Sequence, residues 1–316
     1  MEDLIFLKPY CREVIWGGTR LKKEYGYETE GDHTGEAWVI STRPEGQSVV
    51  TDGPFRGMPL NTLWQKHREL FSDLPGEEFP LLVKLIDARD NLSIQVHPDD
   101  AYAAEHENGS LGKTECWYIV DCDPGADIVI GHKAKTRAEM EEMIRNGRWD
   151  DFISILPLHK GDFFFIPSGT VHAIRKGTLI LEIQQNSNVT YRVYDYNRLQ
   201  DGKPRALHIQ QSIDVIKCPA DFRKTEETPV SGKGFTAQIL VRCPLFTVQK
   251  WSVETDTDAV VIPEEDGRFL LVDIVEGEGA VNGRPVHKGE HFIAPTGFGK
   301  LSFTGRLVFV VSRTGK

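Results

Sequence analysis

The sequence predicts a mainly β protein with two related β-domains and a small α-helical insertion. Three observations support this fold class. Many short runs are rich in β-branched and aromatic residues and end at Gly, Pro or Asp, which is typical of strands. One short pattern occurs in the first part of the chain and again near its end. Helical patterns are confined to three segments, so we expect the strands to form a sandwich or a barrel.

The elements follow one another as separate, short segments. The runs that predict strands lie at 79–87, 91–97, 116–121, 162–167, 178–185, 246–253, 268–277 and 306–312. The segments that predict helices lie near 60–70, 98–107 and 136–147. The last of these begins with Thr136 at the N-cap position, carries Glu in its first turns and ends at Gly147, as helix boundaries commonly do.

The recurring pattern indicates a duplicated β-fold. Residues 160–169 are KGDFFFIPSG and residues 288–297 are KGEHFIAPTG. The separation of the two copies is far too long for a solenoid repeat. Three positions after the last glycine, the first copy has His172 and the second has Lys300. A polar, Pro/Gly-rich stretch at 219–235 has the composition of a linker, so we predict one domain over 1–218 and another over 219–316.

The composition excludes several classes of function. The chain has 316 residues, which corresponds to about two domains at about 150 residues each. Its net charge of −10 argues against nucleic-acid and membrane-surface partners. There is no apolar run long enough to span a bilayer, and the acidic start does not resemble a secretory signal. Five widely spaced cysteines without a CxxC pair favour a reducing compartment, so we expect a cytoplasmic protein.

Two histidines, a carboxylate and an amide recur at strand positions. Gln95 and His97 are two residues apart in SIQVHP, so on a strand they share a face. His172 follows the turn in PSGTVHAI, and a carboxylate is available from Glu115, which begins another strand, or from Glu182 on a further strand. Such a set suits a zinc-type ion, which binds His nitrogen and carboxylate oxygen. Taken singly, each histidine has a simpler interpretation as a hydrogen-bonded structural residue, and the chain has no HExxH motif.

Other catalytic patterns are not supported. The Gly-rich segment 276–283 lies between strands and does not open a helix, so a phosphate loop is not expected. The chain has no GxSxG element and therefore no nucleophile elbow. His287 and His291 are four residues apart, but their segment reads as turn and strand, so we interpret them as structural.

Four motifs in order closely resemble the type I mannose-6-phosphate isomerases. They are NLSIQVHPDD (91–100), KTECWY (113–118), PSGTVHAI (167–174) and EIQQNSNVTYRVYD (182–195). The segments VIWGGTRL (14–21) and TGEAWVIS (34–41) match as well. The resemblance is strong up to about residue 216 and weaker beyond it. It implies two cupin-type jelly-roll β-domains and the interconversion of mannose 6-phosphate and fructose 6-phosphate.

The resemblance also assigns roles to individual residues. It implies one zinc ion per chain, held by His97, Glu115 and His172 with Gln95 as a further ligand. It implies that the catalytic residues are Arg192, Glu182 and Lys113, and that Ser93 lies at the substrate pocket. Asn188 stands where some longer members have an aspartate proposed to help open the sugar ring. The second domain lacks the ligand pattern.

The implied reaction passes through an enediol(ate) and needs both a base and groups that stabilise negative charge. Arg192 stays protonated at neutral pH and cannot be the base, so Glu182 is the candidate base and Lys113 a possible second acid or base. The substrate is a dianion while the chain is net acidic, so local cations must attract it. We predict Arg198 and Lys203, near Arg205, as phosphate contacts.

Two alternatives stay open. A non-catalytic cupin could bind a sugar phosphate as a sensor, and another metal-dependent cupin enzyme, such as an iron oxygenase, uses a similar ligand triad. We expect a small-molecule sugar phosphate as the partner, and a monomer or weak homo-oligomer.

Overall fold

The computed structural model describes residues 4–200, 202–263 and 268–315. The strands, numbered in chain order, are β1 Ile5–Lys8, β2 Tyr10–Gly18, β3 Thr34–Ile40, β4 Thr42–Arg43, β5 Gly46–Gln47, β6 Val49–Val50, β7 Leu81–Ala88, β8 Ile94–Val96, β9 Glu115–Cys122, β10 Asp127–His132, β11 Ile153–Pro157, β12 Phe163–Ile166, β13 His172–Ile174, β14 Thr178–Gln185, β15 Tyr191–Tyr194, β16 Leu199–Gln200, β17 Lys203–Pro204, β18 Val230–Gly232, β19 Phe235–Arg242, β20 Phe246–Pro263, β21 Leu270–Val281, β22 Arg284–His287, β23 His291–Ala294 and β24 Lys300–Thr314.

Helices are short and few beside these strands. They are α1 Arg20–Lys23, α2 Leu60–Lys66, α3 Asp100–His106, α4 Arg137–Arg145, α5 Trp149–Phe152 and α6 Ile209–Val215, with 3-10 turns at Gly53–Phe55 and Arg68–Phe71. The mainly β prediction is confirmed, and α2, α3 and α4 lie within the three segments predicted as helices. At α4 the Thr136 side chain accepts a hydrogen bond from the Glu139 amide, which satisfies one of the otherwise unpaired donors of the first turn. No helix among the described residues is long and apolar enough to cross a membrane.

The chain forms two compact units that interleave along the sequence. One unit comprises Met1–Tyr10, Trp38–Val83 and Thr225–Lys316, and the other comprises Cys11–Ala37 and Lys84–Lys224. The domains predicted from the sequence, 1–218 and 219–316, are consecutive segments, whereas each compact unit combines separate segments of the chain. The predicted helical segment near residue 60 thus belongs to the same compact unit as the C-terminal strands. The functional division near residue 218 stays a prediction.

The unit that contains the C-terminal part is organised around a nine-stranded antiparallel sheet. Its strand order is β18-β19-β20-β24-β21-β23-β1-β6, with β22 paired to β21. One face of the sheet carries a continuous apolar core that includes Val272, Phe292 and Phe309. The N-terminal strand β1 joins this sheet through antiparallel pairing with β23, a long-range contact that local sequence patterns do not reveal.

The other unit contains most of two further sheets. Their strand orders are β11-β10-β13-β8-β15 and β12-β9-β14-β7-β2-β3. Apolar side chains of both sheets, such as Ile130 and Trp117, meet in one core. A second apolar cluster joins the outer face of the five-stranded sheet to the side chains of α4, α5 and α6. The two sheets therefore form a sandwich, and the helices cover the outer face of one of them.

The recurring sequence pattern folds into the same turn and strand in each unit. The amide of Gly161 donates to the carbonyl of Ile119 at 2.8 Å, and that of Gly289 donates to Ile274 at 2.9 Å. The acidic residue after each glycine accepts a backbone hydrogen bond from the turn, at 2.7 and 2.8 Å. The strand that follows pairs antiparallel with β9 in one unit and with β21 in the other. The pattern thus specifies a local backbone structure that occurs twice.

Candidate active site

The predicted ligands come from both sheets of the two-sheet unit. Gln95 on β8 lies opposite His172 on β13 in the five-stranded sheet, and Glu115 begins β9 in the six-stranded sheet. Because Ile94 and Val96 belong to the apolar cluster under the helices, the alternation of the strand directs Gln95 and His97 to the opposite face. The sandwich therefore brings these four side chains together in its interior.

The ligand atoms converge in a buried space. The Nε2 atom of His97 lies 3.4 Å from Oε2 of Glu115, and Nε2 of His172 lies 3.4 Å from Oε1 of the same carboxylate. One ligand atom from each of the three residues lies within 4.8 Å of the others. The side-chain amide of Gln95 is 3.3 Å from Nε2 of His172. All three acid and imidazole side chains are at most 1% exposed.

Backbone carbonyls fix the orientation of both imidazole rings. The Nδ1 of His97 donates to the carbonyl of Val189 at 2.8 Å, and that of His172 donates to Thr170 at 2.9 Å. A carbonyl can only accept, so the neutral rings carry their proton on Nδ1 and turn the Nε2 lone pair to the carboxylate of Glu115. Metal-bound histidines in proteins are commonly held in this way.

The electrostatics keep these groups in the protonation states of metal ligands. Burial lowers the pKa of His97 to about 3, and it also lowers the pKa of His172, so both rings are neutral. Burial alone would raise the pKa of Glu115, but Lys113 and the two histidines outweigh it and hold that pKa well below its usual value. Its Oε1 accepts no hydrogen bond from a described residue. Two imidazole lone pairs and an ionised carboxylate fit a divalent ion such as zinc.

Lys113 and Glu182 lie beside this cluster. The ammonium of Lys113 is 2.6 Å from Oε2 of Glu115, 3.2 Å from Nε2 of His97 and 4.0 Å from Oε1 of Glu182. Burial would lower the pKa of Lys113, but the two carboxylates raise it above its usual value. Trp117, opposite Glu182 in the neighbouring strand, donates from its indole to Oε1 at 3.3 Å. The site therefore holds a proton donor and a second carboxylate next to the ligand cluster.

A further buried cation, Lys84, was not predicted from the sequence. Its ammonium lies 3.4 Å from Oε2 of Glu182, and it sits on β7, where every residue is buried. A lysine is rarely buried without a partner, so a charged residue inside the apolar run LLVKLID is the signal that could have revealed it. Burial raises the pKa of Glu182 despite the two lysines, and the charge of Glu115 acts in the same direction.

Arg192 lies next to the ligand cluster and borders a cavity. It is opposite Gln95 in the pairing of β15 with β8, and its amide donates to Nδ1 of His208 at 3.1 Å. Burial and the charge of Arg205 lower the pKa of Arg192 from its usual value. Both arginines line a cavity of about 660 Å³.

The remaining predicted residues differ in their placement. Ser93 is buried, with its hydroxyl 3.5 Å from the side-chain oxygen of Gln95. Asn188 is exposed, and so is Lys203. Arg198 forms an ion pair with Asp195. Neither Arg198 nor Lys203 is among the described residues that line the cavity. Their predicted role as phosphate contacts stays a prediction.

The second copy of the β-fold has different residues at the ligand positions. In the first copy the strand after the turn pairs Ile166 with Glu115, and in the second the equivalent pair is Ala294 with Leu270. Leu270 thus takes the place of the ligand carboxylate, as Lys300 takes the place of His172. The second copy therefore lacks two of the three ligands.

Comparisons with known proteins agree with this geometry. Residues 4–120 match the family model described as "Phosphomannose isomerase type I, catalytic domain", and residues 236–314 match "Mannose-6-phosphate isomerase, cupin domain". The chain is 45% identical to the mannose-6-phosphate isomerase of Streptococcus mutans, with 100% of both chains covered. It is 44% identical to mannose-6-phosphate isomerase ManA of Bacillus subtilis, with 98% of each covered. A crystal structure of the mannose 6-phosphate isomerase from Bacillus subtilis superposes with a TM-score of 0.94, at 42% identity over 98% of this chain and 99% of that one.

Proposed function

The chain belongs to the type I phosphomannose isomerase family, and on this premise we propose that it interconverts mannose 6-phosphate and fructose 6-phosphate with one bound zinc ion. Family membership supports the isomerase activity, and the cupin-type fold agrees with it. The observation that carries the proposal is the buried cluster of His97, Glu115 and His172 with Lys113 and Glu182 beside it.

The zinc ligands in this proposal are His97, Glu115 and His172, with Gln95 as the fourth. Their donor atoms face one another, and their pKa shifts favour two neutral imidazoles and an ionised carboxylate. When bound, zinc supplies a Lewis acid for the sugar oxygens, a contribution of several kcal/mol to stabilising developing negative charge.

Glu182 is the proposed base. After ring opening, its carboxylate takes the proton from C2 of the aldose and returns it to C1. A second proton moves from O2 to O1, and the two transfers together give the ketose. A base works best when its pKa approaches the working pH, and burial raises the pKa of Glu182 in that direction. Lys84 and Lys113 flank this carboxylate and hold it in position.

Lys113 and Arg192 support the negative charge that develops during the transfer. The pKa of Lys113 is raised by its two carboxylate neighbours, so it remains an ammonium that can donate to an oxygen of the enediolate. Arg192 also remains a cation and orients the sugar from the neighbouring strand. Such preorganised charges are usually the largest single contribution to catalysis in a buried site.

The test is the formation of fructose 6-phosphate from mannose 6-phosphate, before chelation, after chelation and after zinc is added back. We expect turnover to vanish on chelation and to return with zinc. Metal analysis of the purified protein separates zinc from the iron that a cupin oxygenase requires. A folded, zinc-loaded chain without turnover would contradict the proposal and favour a sugar-phosphate sensor. A cytoplasmic location and a monomeric or weakly associating chain stay predictions.

A further inference from the structure

The backbone of Arg192 is held from the outer edge of its sheet by His208. The strand that carries Arg192, β15, lies at one end of the five-stranded sheet, and among the described strands it pairs only with β8. The amide of Arg192 donates to Nδ1 of His208 at 3.1 Å, and the amide of His208 donates to the carbonyl of Arg192 at 2.8 Å. One residue therefore satisfies both backbone polar groups of Arg192, as a neighbouring strand would do.

His208 is itself fixed by the helix that follows it. It immediately precedes α6, and its carbonyl accepts hydrogen bonds from the amide and the hydroxyl of Ser212 at 2.8 and 2.7 Å. Ile213 in this helix and Ile216 just after it are buried in the apolar cluster that joins the five-stranded sheet to the helices. The imidazole thus belongs to an anchored helix, which gives the edge strand a rigid neighbour.

The imidazole of His208 is in the protonation state that this contact needs. A backbone amide can only donate, so Nδ1 offers its lone pair and the proton of the neutral ring lies on Nε2. Burial lowers the pKa of His208, and the charge of Arg192 acts in the same direction, whereas Glu107 opposes them. Because protonation would replace the acceptor with a donor, the lowered pKa keeps the hydrogen bond intact at neutral pH.

The side chain of Arg192 depends on this backbone for its position. Tyr191 and Val193 belong to the apolar cluster under the helices, so the alternation of the strand directs Arg192 to the opposite face, beside Gln95. The buried Nε of Arg192 has no hydrogen-bond partner among the described residues. A displacement of the backbone would therefore move the guanidinium, and a misplacement of about 1 Å can cost an enzyme about 100-fold in rate.

We propose that His208 is a positioning residue for the isomerase reaction. Its Nδ1 holds the backbone of Arg192 so that the guanidinium has the orientation in which it stabilises developing negative charge. The assignment rests on the proposed isomerase function, in which Arg192 has that role. It goes beyond the proposed function because His208 acts through Arg192 and needs no contact with the substrate or with the metal ligands.

The experiment compares three substitutions of His208 in the zinc-loaded enzyme. His208→Asn keeps an acceptor oxygen at the position of Nδ1, His208→Gln moves it to the position of Nε2, and His208→Ala removes it. We expect kcat for mannose 6-phosphate to fall about tenfold in His208→Ala and His208→Gln, near the upper end of what one hydrogen bond contributes. In His208→Asn, kcat should stay within about twofold of the unmodified value. Zinc content should not change in any of the three.

Tyr191→Phe is the matched control on the same strand. It removes the hydroxyl that donates to Glu107 at 2.8 Å and leaves the backbone contacts of Arg192 in place. We expect its kcat to stay within about twofold of the unmodified value. A loss in Tyr191→Phe as large as that in His208→Ala would show that any disturbance of β15 lowers turnover, and it would reject a specific role of His208.

A double-mutant cycle tests whether His208 acts through Arg192. In the Arg192→Ala background, His208→Ala should lower kcat by less than about twofold, because the side chain that the contact positions is already absent. A further tenfold loss in that background would overturn the proposal. Equal losses in His208→Asn and His208→Ala would also overturn it, because the acceptor at the Nδ1 position would then have no effect.

The outcomes separate this inference from the proposed function. If the unmodified enzyme turns over and His208→Ala keeps its kcat, the positioning role is wrong while the isomerase function stands. If the unmodified, zinc-loaded chain does not turn over, hydrogen exchange at the Arg192 amide, followed by NMR, still tests the contact. Faster exchange in His208→Ala than in His208→Asn supports a backbone held by Nδ1, and equal exchange rejects it. Urea denaturation shows that each variant is folded under the conditions of the assay.

Discussion

The two β-units contain the same turn and strand, yet among the described residues only one of them has a candidate set of metal ligands. The hydrogen bonds at Gly161 and Gly289 are equivalent, and the strands that follow have the same pairing register. At the ligand positions, however, Leu270 replaces Glu115. The comparison teaches that the repeated pattern encodes backbone structure, while the chemistry depends on a few side chains that face the interior.

The buried polar groups of the two units also differ in kind. The ligand-bearing unit buries a network of opposite charges around Glu115 and Glu182. Among the residues described in the other unit, the buried ion pair is that of His291 and Asp273, in which Nδ1 of His291 lies 2.6 Å from Oδ1 of Asp273. His291 lies on β23, the strand that follows the second copy of the turn, and Asp273 lies opposite it on β21. The pair therefore joins two strands, which agrees with the structural role that the sequence predicts for His291. The ligand-bearing unit therefore concentrates buried charges at the candidate active site. In the other unit, the buried His291–Asp273 pair connects two strands.

The strongest test of this comparison replaces His172 and Lys300, the equivalent residues after the two turns, with alanine. His172→Ala should remove zinc and lower kcat/KM by about 10³-fold or more, because both the ligand and the Lewis acid are lost. Lys300→Ala, at the equivalent and exposed position, should retain both. Metal content and turnover are measured on the same samples. Equal losses in the two variants would show that the second unit also carries the chemistry.

Arg192→Ala tests whether the positive charge of Arg192 contributes to turnover without contributing to metal binding. We expect the variant to keep its zinc and to lose about 100-fold in kcat, in the range seen when a preorganised donor is removed. Arg192→Lys should restore part of the loss because it keeps the charge but not the planar fork. Near-normal turnover in Arg192→Ala would mean that the catalytic assignment is wrong.

Asp273→Ala tests the structural role of the buried pair in the other unit. The substitution leaves His291 buried without its carboxylate and should reduce the free energy of unfolding by about 3 kcal/mol. Zinc content and kcat should not change. Urea denaturation gives the stability, and Asp273→Asn, which keeps an acceptor, should lose less. A large fall in kcat with unchanged stability would contradict the structural interpretation.

The ligand histidines predict a pH dependence in the chelated protein. Because the folded pKa of His97 is lowered to about 3 from 6.5, the unfolded chain binds the proton more readily between these values. The stabilisation is therefore complete above about pH 6.5 and decreases as the pH falls. Between pH 6.5 and pH 5 this group alone should remove roughly 2 kcal/mol. His97→Gln should flatten the pH profile of urea denaturation, and a flat profile in the unmodified chain would contradict the prediction.

The sequence predicted those parts of the molecule that local patterns specify. Short apolar runs located strands such as β7, β9 and β14, but they did not reveal β10 or β19. Cap residues located α4. The clustering of the candidate ligands could be predicted because Gln95 and His97 share a face of one strand and the family motifs supplied the other members of the cluster. The pairing of β1 with β23 could not be predicted, because it joins residues far apart in the chain and depends on the whole sheet.

Lys84 was missed because its role depends on a neighbour from another strand. From the sequence alone it resembles an ordinary strand lysine, whereas in the structure its ammonium lies 3.4 Å from the Glu182 carboxylate. The sequence contains the charged residue but not the distance to its partner.

The last prediction concerns the glycines that end the two copies of the repeat. Gly169 and Gly297 have φ angles of +83° and +77°, so alanine at either position should cost about 1 kcal/mol from backbone strain alone. A Cβ at Gly169 would also lie 2.8 Å from the carbonyl oxygen of Val215, whereas a Cβ at Gly297 would meet nothing within 4 Å. Gly169→Ala should therefore be the more destabilising variant in urea denaturation.

Metal affinity should separate the two glycine variants further. The amide of Gly169 donates to the carbonyl of His97 at 2.8 Å, so a shift of this turn displaces a proposed ligand. We expect Gly169→Ala to bind zinc more weakly in a competition with a chelator, and Gly297→Ala to bind it normally. Equal stability and equal zinc affinity in the two variants would mean that the turn acts alone in each unit. A difference would show that the same backbone turn became part of a metal site through its neighbours.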